Sequence, residues 1–280
     1  DRVVRLGLAA PHLVRVEEVD DQGLSAGVER EVVRVVVVVV TVLLAALEGE
    51  EGRLRVLPAA AQDGPVDVKM TDQAVLKLPA GQVFIPMPEA GRIMRAMGNH
   101  ADDGFLGVIF PQEGNWMVVA RYENAGYIKD DDAKDWNADD LLKSLSEGAE
   151  ASNAERRERG IPEMQVAGWA EKPAYEAATH RLVWSAITKN KIGVDDDPGV
   201  NYNTYALGRE GYISLNLVTS LKDVANQKSI AQNLLTSLDF SDGKRYADFN
   251  SSTDKVAEYG LAALVAGVAA KKLGLFAIIL

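Results

Sequence analysis

The sequence predicts an α+β fold: an antiparallel sheet domain of about six to eight strands with two main packing helices and a C-terminal membrane-associated helix. Three observations predict it. Between Val66 and Thr219, most short apolar or alternating runs are separated by turn residues, the pattern of strands that pair with their neighbours. Two stretches, one after Asn137 and one after Ser220, combine a capping residue with helical periodicity. The segment from Tyr259 to Leu280 is almost free of polar side chains.

In chain order, residues 1–63 stand apart. They contain no Lys, Ile, Asn, Met, Phe, Tyr or Trp, their basic residues are all Arg, and Val35 to Val40 is an unbroken valine run. Two readings stay open: a low-complexity segment that pairs as strands, or a stretch whose residue identities are themselves uncertain. No functional claim rests on it. Val32 to Leu47 is short for a membrane span, carries Arg34 and is β-branched, so a strand is expected there. The domain proper is expected over 64–250, and a C-terminal helix with the start of a membrane segment over 251–280.

Val66 to Met70, Ala74 to Leu78 and Gln82 to Pro88 read as strands, and Glu89 to Met97 as a short helix stopped at Gly98-Asn99. Phe105 to Phe110 and Asn115 to Tyr122 read as strands around the turn Pro111 to Gly114. The first long helix is capped by Asn137, carries Asp139 and Asp140 in its first turn and ends at Gly160 and Pro162. Leu141, Leu142, Leu145 and Ala149 form its core face, and Glu155 to Arg159 should be solvated all round. Four strands follow: Met164 to Trp169, Tyr175 to Thr188, Val200 to Gly208 and Tyr212 to Thr219, the last two a hairpin through Gly208 to Gly211. Ser220, with Asp223, starts a helix running to about Leu238, and a last helix is expected from Thr253-Asp254 into the tail. This order is compatible with the sheet-and-helix architecture of photosystem-associated lumenal proteins, an analogy of fold that transfers no function.

Composition excludes some chemistry. The net charge is -11 and there is no cysteine. An acidic chain without a basic stripe is a poor nucleic-acid binder, so no nucleic-acid partner is expected. Disulfides, thiol nucleophiles and thiolate metal sites are ruled out. No glycine-rich phosphate loop occurs.

The remaining candidates each have a plainer reading. Gly23-Leu24-Ser25-Ala26-Gly27 matches a nucleophile elbow but is followed by a valine-rich run instead of a helix. Asp130-Asp131-Asp132 with Asp135, and Asp195-Asp196-Asp197, lack calcium-loop spacing and read as solvated acidic turns. His12, His100 and His180 are scattered. His180, Leu182 and Trp184 fall on one face of the expected strand. There His180 is either a general base or a half-buried packer beside Trp184; the packer is preferred because no nucleophile or carboxylate partner can be named. Trp116, Trp136, Trp169 and Trp184 could line a ligand pocket or serve as core. A pocket around Trp169, His180 and Trp184 is the alternative functional site, of a ligand-binding or hydrolase-like domain. No catalytic, cofactor-binding or metal-binding residues are assigned, and no cofactor is expected.

The tail suggests location and assembly. Gly260, Ala263, Gly267, Ala270 and Gly274 follow one another at alternating steps of three and four, a small-residue stripe that lets helices pack closely in a bilayer. Membrane lipid and further copies of the chain are therefore the expected partners. Lys271 and Lys272 interrupt the apolar run. The tail is one tilted helix with snorkelling lysines, a hairpin, or a span that begins at Leu273 and continues past Leu280; the third is preferred. Deleting Tyr259 to Leu280 is expected to release a folded domain.

Several stretches resemble one bacterial family. They are Gly126-Tyr127-Ile128 with the Asp run and Asp139 to Leu142; Gly168-Trp169-Ala170, Tyr175, Ala178-Thr179-His180 and Leu182-Val183-Trp184; Asn201-Tyr202-Asn203 and Leu207-Gly208-Arg209; and Arg245 to Phe249, Asp254 to Ala257 and Ala269 to Lys272. In this order they resemble the predicted membrane-anchored proteins catalogued as domain of unknown function two-one-six-seven, over about residues 64–280. The resemblance implies an exported domain with a C-terminal membrane segment, in the cell envelope with the periplasmic side preferred, and supplies no catalytic residues. The expected function is therefore a non-enzymatic, self-assembling envelope protein.

Overall fold

The computed structural model describes residues 60–97, 99, 101–158, 160–193 and 198–266, with the backbone of 4–8 and 14–18. The elbow-like motif at Gly23, the strand expected over Val32 to Leu47, His12, His100, the acidic run at Asp195 and the tail beyond Ala266 lie outside the described residues.

β1 (Val4–Leu8) and β2 (Val14–Glu18) pair antiparallel in a sheet of their own. The domain then runs β3 (Gln62–Asp63), β4 (Val66–Met70), β5 (Ala74–Leu78), β6 (Gln82–Pro86), α1 (Glu89–Ala96), β7 (Phe105–Pro111) and β8 (Met117–Glu123). A 3-10 turn at Asp131–Lys134 leads into α2 (Ala138–Glu158), followed by β9 (Met164–Glu176), β10 (Arg181–Asn190), β11 (Gly199–Leu207) and β12 (Tyr212–Ser220). α3 (Val224–Thr236), β13 (Leu238–Phe240), a 3-10 turn at Tyr246–Asp248 and the single helical turn α4 (Ala262–Val265) complete it.

The main sheet has eight strands in the order β3-β6-β7-β8-β12-β11-β10-β9, with every neighbouring pair antiparallel. A second sheet, β13-β5-β4, packs on it. Strand alternation divides the core. From β12, Ile213, Leu215 and Leu217 face Leu234 and Leu235 of α3 and Leu76 and Leu78 of the small sheet. Tyr212 and Val218 fall on the opposite face, whose two ends are covered separately. Leu141 and Leu145 of α2 join Leu182 and Trp184 at one end, and Ala90 and Met94 of α1 join Val108 and Val119 at the other. The expected α+β class with an antiparallel sheet and two main helices is what forms.

The cap on α2 is as expected: the Asn137 side-chain oxygen accepts the N–H of Asp139 at 2.8 Å and of Asp140 at 3.4 Å. The second half of α2 departs from expectation. Asn153 and Arg156 are buried. Asn153 exchanges two hydrogen bonds with the backbone of Met164, and Arg156 Nε donates to the Pro162 carbonyl at 2.7 Å. The chain doubles back here into β9, and its turning backbone needs polar partners that the helix supplies.

The run Tyr175 to Thr188 is not one strand. Ala177 to His180 form the β9–β10 turn, with His180 at φ 53°. No Gly or Pro marks the break. His tolerates the left-handed region better than most residues, and Thr179 Oγ1 donates to Glu176 across the turn. α3 stops at Thr236 because Leu238 to Phe240 is drawn into the small sheet against β5.

The helix expected from Thr253 is also corrected. Residues 250–260 are turns and a single bridge, Tyr127 to Val256, and helix appears only at α4. Among the described residues no helix is long and apolar enough to cross a membrane.

Candidate functional site

The residues brought together are not the three aromatic positions expected. Trp169 and Trp184 pack edge to face with ring centroids 6.0 Å apart, and Trp169 Nε1 donates to the Ala138 carbonyl. They sit in the core beneath α2. His180, turned aside by its backbone, joins another set. Its ring stacks on Tyr246 at 4.0 Å, its Nδ1 lies 3.1 Å from the Tyr175 hydroxyl and 3.7 Å from Asp130 Oδ2. Tyr246 in turn donates to the Ile128 carbonyl and packs against Tyr127, which stacks on Phe249.

Proton counting orders this cluster. Burial, and then its hydrogen bond to Asp130, push the Tyr175 hydroxyl well above the ordinary tyrosine range, so it stays protonated. Its single proton goes to Asp130 Oδ2, at 2.6 Å. Toward His180 the same oxygen can only accept, which puts a proton on Nδ1 and turns Nε2 away from this bond. The carboxylate partner that sequence reasoning could not name is thus Asp130, reached through Tyr175. Among the described residues the hydroxyl hydrogen-bonded to His180 is that of Tyr175, and its proton is committed to Asp130. Among the described residues no three His, Cys, Asp or Glu side chains come together to hold a metal.

Asp132, two residues on, has a different task. Its oxygens accept the N–H groups of Leu261 and Ala262 at 3.1 and 2.9 Å, capping α4 from across the chain. Gly260 lies against this carboxylate, and a Cβ there would collide with it. Of the expected stripe, Gly260 thus packs inside its own chain, Ala263 is in α4, and Gly267, Ala270 and Gly274 lie outside the described residues. The "solvated acidic turn" is a structural bracket: Asp130 holds the His180 turn and Asp132 the C-terminal segment.

That segment is strapped down at three further points. Arg209 Nε and Nη2 donate to Asp254 at 2.7 and 2.8 Å. Tyr127 and Ala257 exchange backbone bonds with Lys255 and Tyr127. Leu261, Leu264 and Val265 are buried in the core under α2. Arg209 holds the Asp254 carboxyl well below the usual carboxylate range. A depressed native pKa stabilises above the unfolded value, near 3.9, and that contribution is lost as pH falls toward the native value. Urea midpoints at pH 7 and pH 3 should therefore differ more for the wild-type chain than for Asp254→Asn. An equal difference would show that this pair does not couple to folding.

A family model described as "Protein of unknown function (DUF2167)" matches residues 61–280. No curated protein matches the chain. Among solved structures, the chain is similar to the solution structure of cyanobacterial PsbP (CyanoP) from Synechocystis. The two share 12% identity with a TM-score of 0.39, over 69% of this chain and 98% of that one. A point mutant of the protein Mog1 is similar at 12% identity and a TM-score of 0.32, over 62% of this chain and 94% of that one.

Proposed function

This chain belongs to the DUF2167 family, and from that premise we propose that it is a non-enzymatic, membrane-anchored protein of the bacterial cell envelope. Its folded domain is held close to the bilayer, on the periplasmic side, by the C-terminal segment. The observation that carries this reading is the strap ending in α4. Rigid attachment continues to Ala266, and the sequence that follows, Gly267 to Leu280, is apolar except for Lys271 and Lys272. An anchor joined this closely fixes the domain's distance and orientation at the membrane. Self-assembly belongs to the same reading: Gly267, Ala270 and Gly274 keep the small-residue spacing, whereas Gly260 is engaged with Asp132.

Truncation after Ala266 tests the anchor. The shortened chain should leave the membrane fraction for the soluble one while keeping its urea midpoint; continued pelleting with membranes would place the anchor elsewhere. Gly267→Leu tests the assembly. It should lower the mass measured in gentle detergent, and an unchanged mass would remove the stripe from the proposal.

The Asp130–Tyr175–His180 arrangement favours a second reading, a ligand-binding or hydrolase-like site that uses the oriented Nε2 of His180 as a base. With the Tyr175 hydroxyl committed to Asp130, His180→Gln should cost about 1–3 kcal/mol of stability, from the lost hydrogen bond, the lost stack on Tyr246 and the strain of a positive φ, and abolish no reaction. Loss of a measurable turnover with the fold intact would promote the enzyme.

A further inference from the structure

The small sheet has an open edge. Its order is β13-β5-β4, so among the described residues β4 pairs with β5 on one side and with no strand on the other. The register fixes which backbone groups that edge presents. Lys77 N–H donates to the Ser237 carbonyl, on the β13 side of β5, at 3.0 Å. Backbone groups alternate along a strand, so those of Leu76 point to β4 and meet Val68, its partner in the register. Asp67 and Lys69, on either side of Val68, therefore turn their N–H and C=O groups outward. Among the described residues these groups have no backbone partner.

Beside this edge lies a cavity of ≈ 510 Å³, a volume usual for a binding site. Asp67, Lys69 and Thr71 line it on the β4 side. Its floor is the main sheet, through Phe84 and Pro86 of β6 and Leu106 of β7; Phe84 and Leu106 belong to the core that faces the small sheet. Met87, 40% exposed, also lines it. Val68 and Met70 point into that same core, which puts the side chains of Asp67 and Lys69 on the outer face of the small sheet. An edge of unpaired amides above an apolar floor is a template for one more strand. The charges restrict which strand fits. Lys69 lies opposite Val75 and has no ion-pair partner among the described residues; Asp67 lies opposite Lys77, whose ammonium is held by Asp239 at 2.9 Å. Opposite signs two residues apart select a partner with an acid facing Lys69 and a base facing Asp67.

We propose that β4 binds an extended segment of a partner protein as an added antiparallel strand. Along the partner the order is apolar, acidic, apolar, basic, apolar. The acidic residue meets Lys69, the basic residue meets Asp67, and the apolar side chains descend onto Phe84, Pro86 and Leu106. The two charged residues exchange backbone hydrogen bonds with Lys69 and Asp67. The central apolar residue, opposite Val68, turns its own N–H away from β4. The site lies apart from the C-terminal strap and does not depend on the membrane reading.

Fluorescence anisotropy of dye-labelled acetyl-Val-Glu-Val-Lys-Val-amide, titrated with the full chain in detergent, tests this. The peptide should bind. Acetyl-Val-Lys-Val-Glu-Val-amide, of the same composition with the charges in the other order, should bind about fivefold more weakly. N-methylation of the glutamate and lysine removes the two N–H groups that face β4 and should weaken binding about tenfold or more. N-methylation of the central valine, whose N–H faces away, should have little effect. Lys69→Glu should abolish the preference between the two charge orders, since each peptide then meets one like and one opposite charge. No binding, equal affinity of the wild-type chain for the two charge orders, or indifference to which residues are methylated would each overturn the proposal. So would hydrogen exchange at the Asp67 and Lys69 amides that slows with protein concentration in the absence of peptide, because the edge would then be held by a second copy.

Discussion

Gly260→Leu is expected to destabilise the folded domain by about 2–4 kcal/mol, without any need for a partner chain. The effect has two sources. A side chain at this position runs into the Asp132 carboxylate, so either the glycine segment or the 3-10 turn Asp131–Lys134 must move. Movement of either separates Asp132 from the two N–H groups it caps, those of Leu261 and Ala262. Loss of such a cap typically costs about 1 kcal/mol, and forcing extra methylenes into a packed site about 1–3 kcal/mol. Urea unfolding gives the magnitude, and hydrogen exchange at Leu261 and Ala262 locates it. If the urea midpoint is unchanged while the mass in detergent falls, Gly260 serves contacts between copies and the intramolecular account fails. Asp132→Ala should reproduce the cap component alone, and in the double variant the two losses should not add, because both act through one contact.

Much of the fold was legible because local signals and tertiary structure agree. The alternation of Ile213, Leu215 and Leu217 with Tyr212, Ser214 and Asn216 survives intact in β12, since one face meets α3 and the small sheet along its whole length. Asn137 caps α2 because its own oxygen reaches the first free N–H groups, a bond that depends on nothing distant. The misreadings occur where a distant residue overrules a local pattern. The turn at Ala177 to His180 carries no breaker, and His180 is fixed there by Tyr246, 66 residues on by the numbering, and by Asp130, 50 residues before it. The tail from Thr253 looks helical in isolation, yet Asp254 is claimed by Arg209 and Val256 by Tyr127.

The candidate site was legible only in fragments for the same reason. His180 could be singled out, but Asp130 and Asp132 looked like two members of one solvated run. Nothing in their spacing says that one faces Tyr175 and the other the amides at Leu261 and Ala262. A usable signal was present in the stretches that carry the family resemblance, which contain Tyr127, Asp130, Tyr175, His180 and Tyr246. Four separate segments holding aromatic or ionisable residues are better explained by one shared cluster than by four independent surface features.

Removing residues 261–280 is expected to unfold the domain, whereas removing residues 267–280 is not. In the sequence apolarity begins at Tyr259, which makes that residue the natural place to cut. In the fold the first part of this apolar run, as far as Val265, belongs to the core. Leu261 and Val265 are 0% exposed and Leu264 is 3% exposed, packed against Leu141, Leu145 and Trp184. Burial of such side chains contributes about 1.5–3 kcal/mol each, so losing all three forfeits roughly 4.5–9 kcal/mol, comparable to the whole stability of an ordinary domain. The cut also leaves Asp132 without its amides and exposes Leu141 and Leu145 to water. The chain ending at Gly260 should therefore be insoluble or lack a cooperative urea transition, while the chain ending at Ala266 should unfold with the midpoint of the full chain. Leu264→Ala in the longer chain gives a graded check, with an expected loss of about 2–4 kcal/mol. A cooperative transition of undiminished midpoint in the chain ending at Gly260 would show that α4 is an appendage and not part of the core.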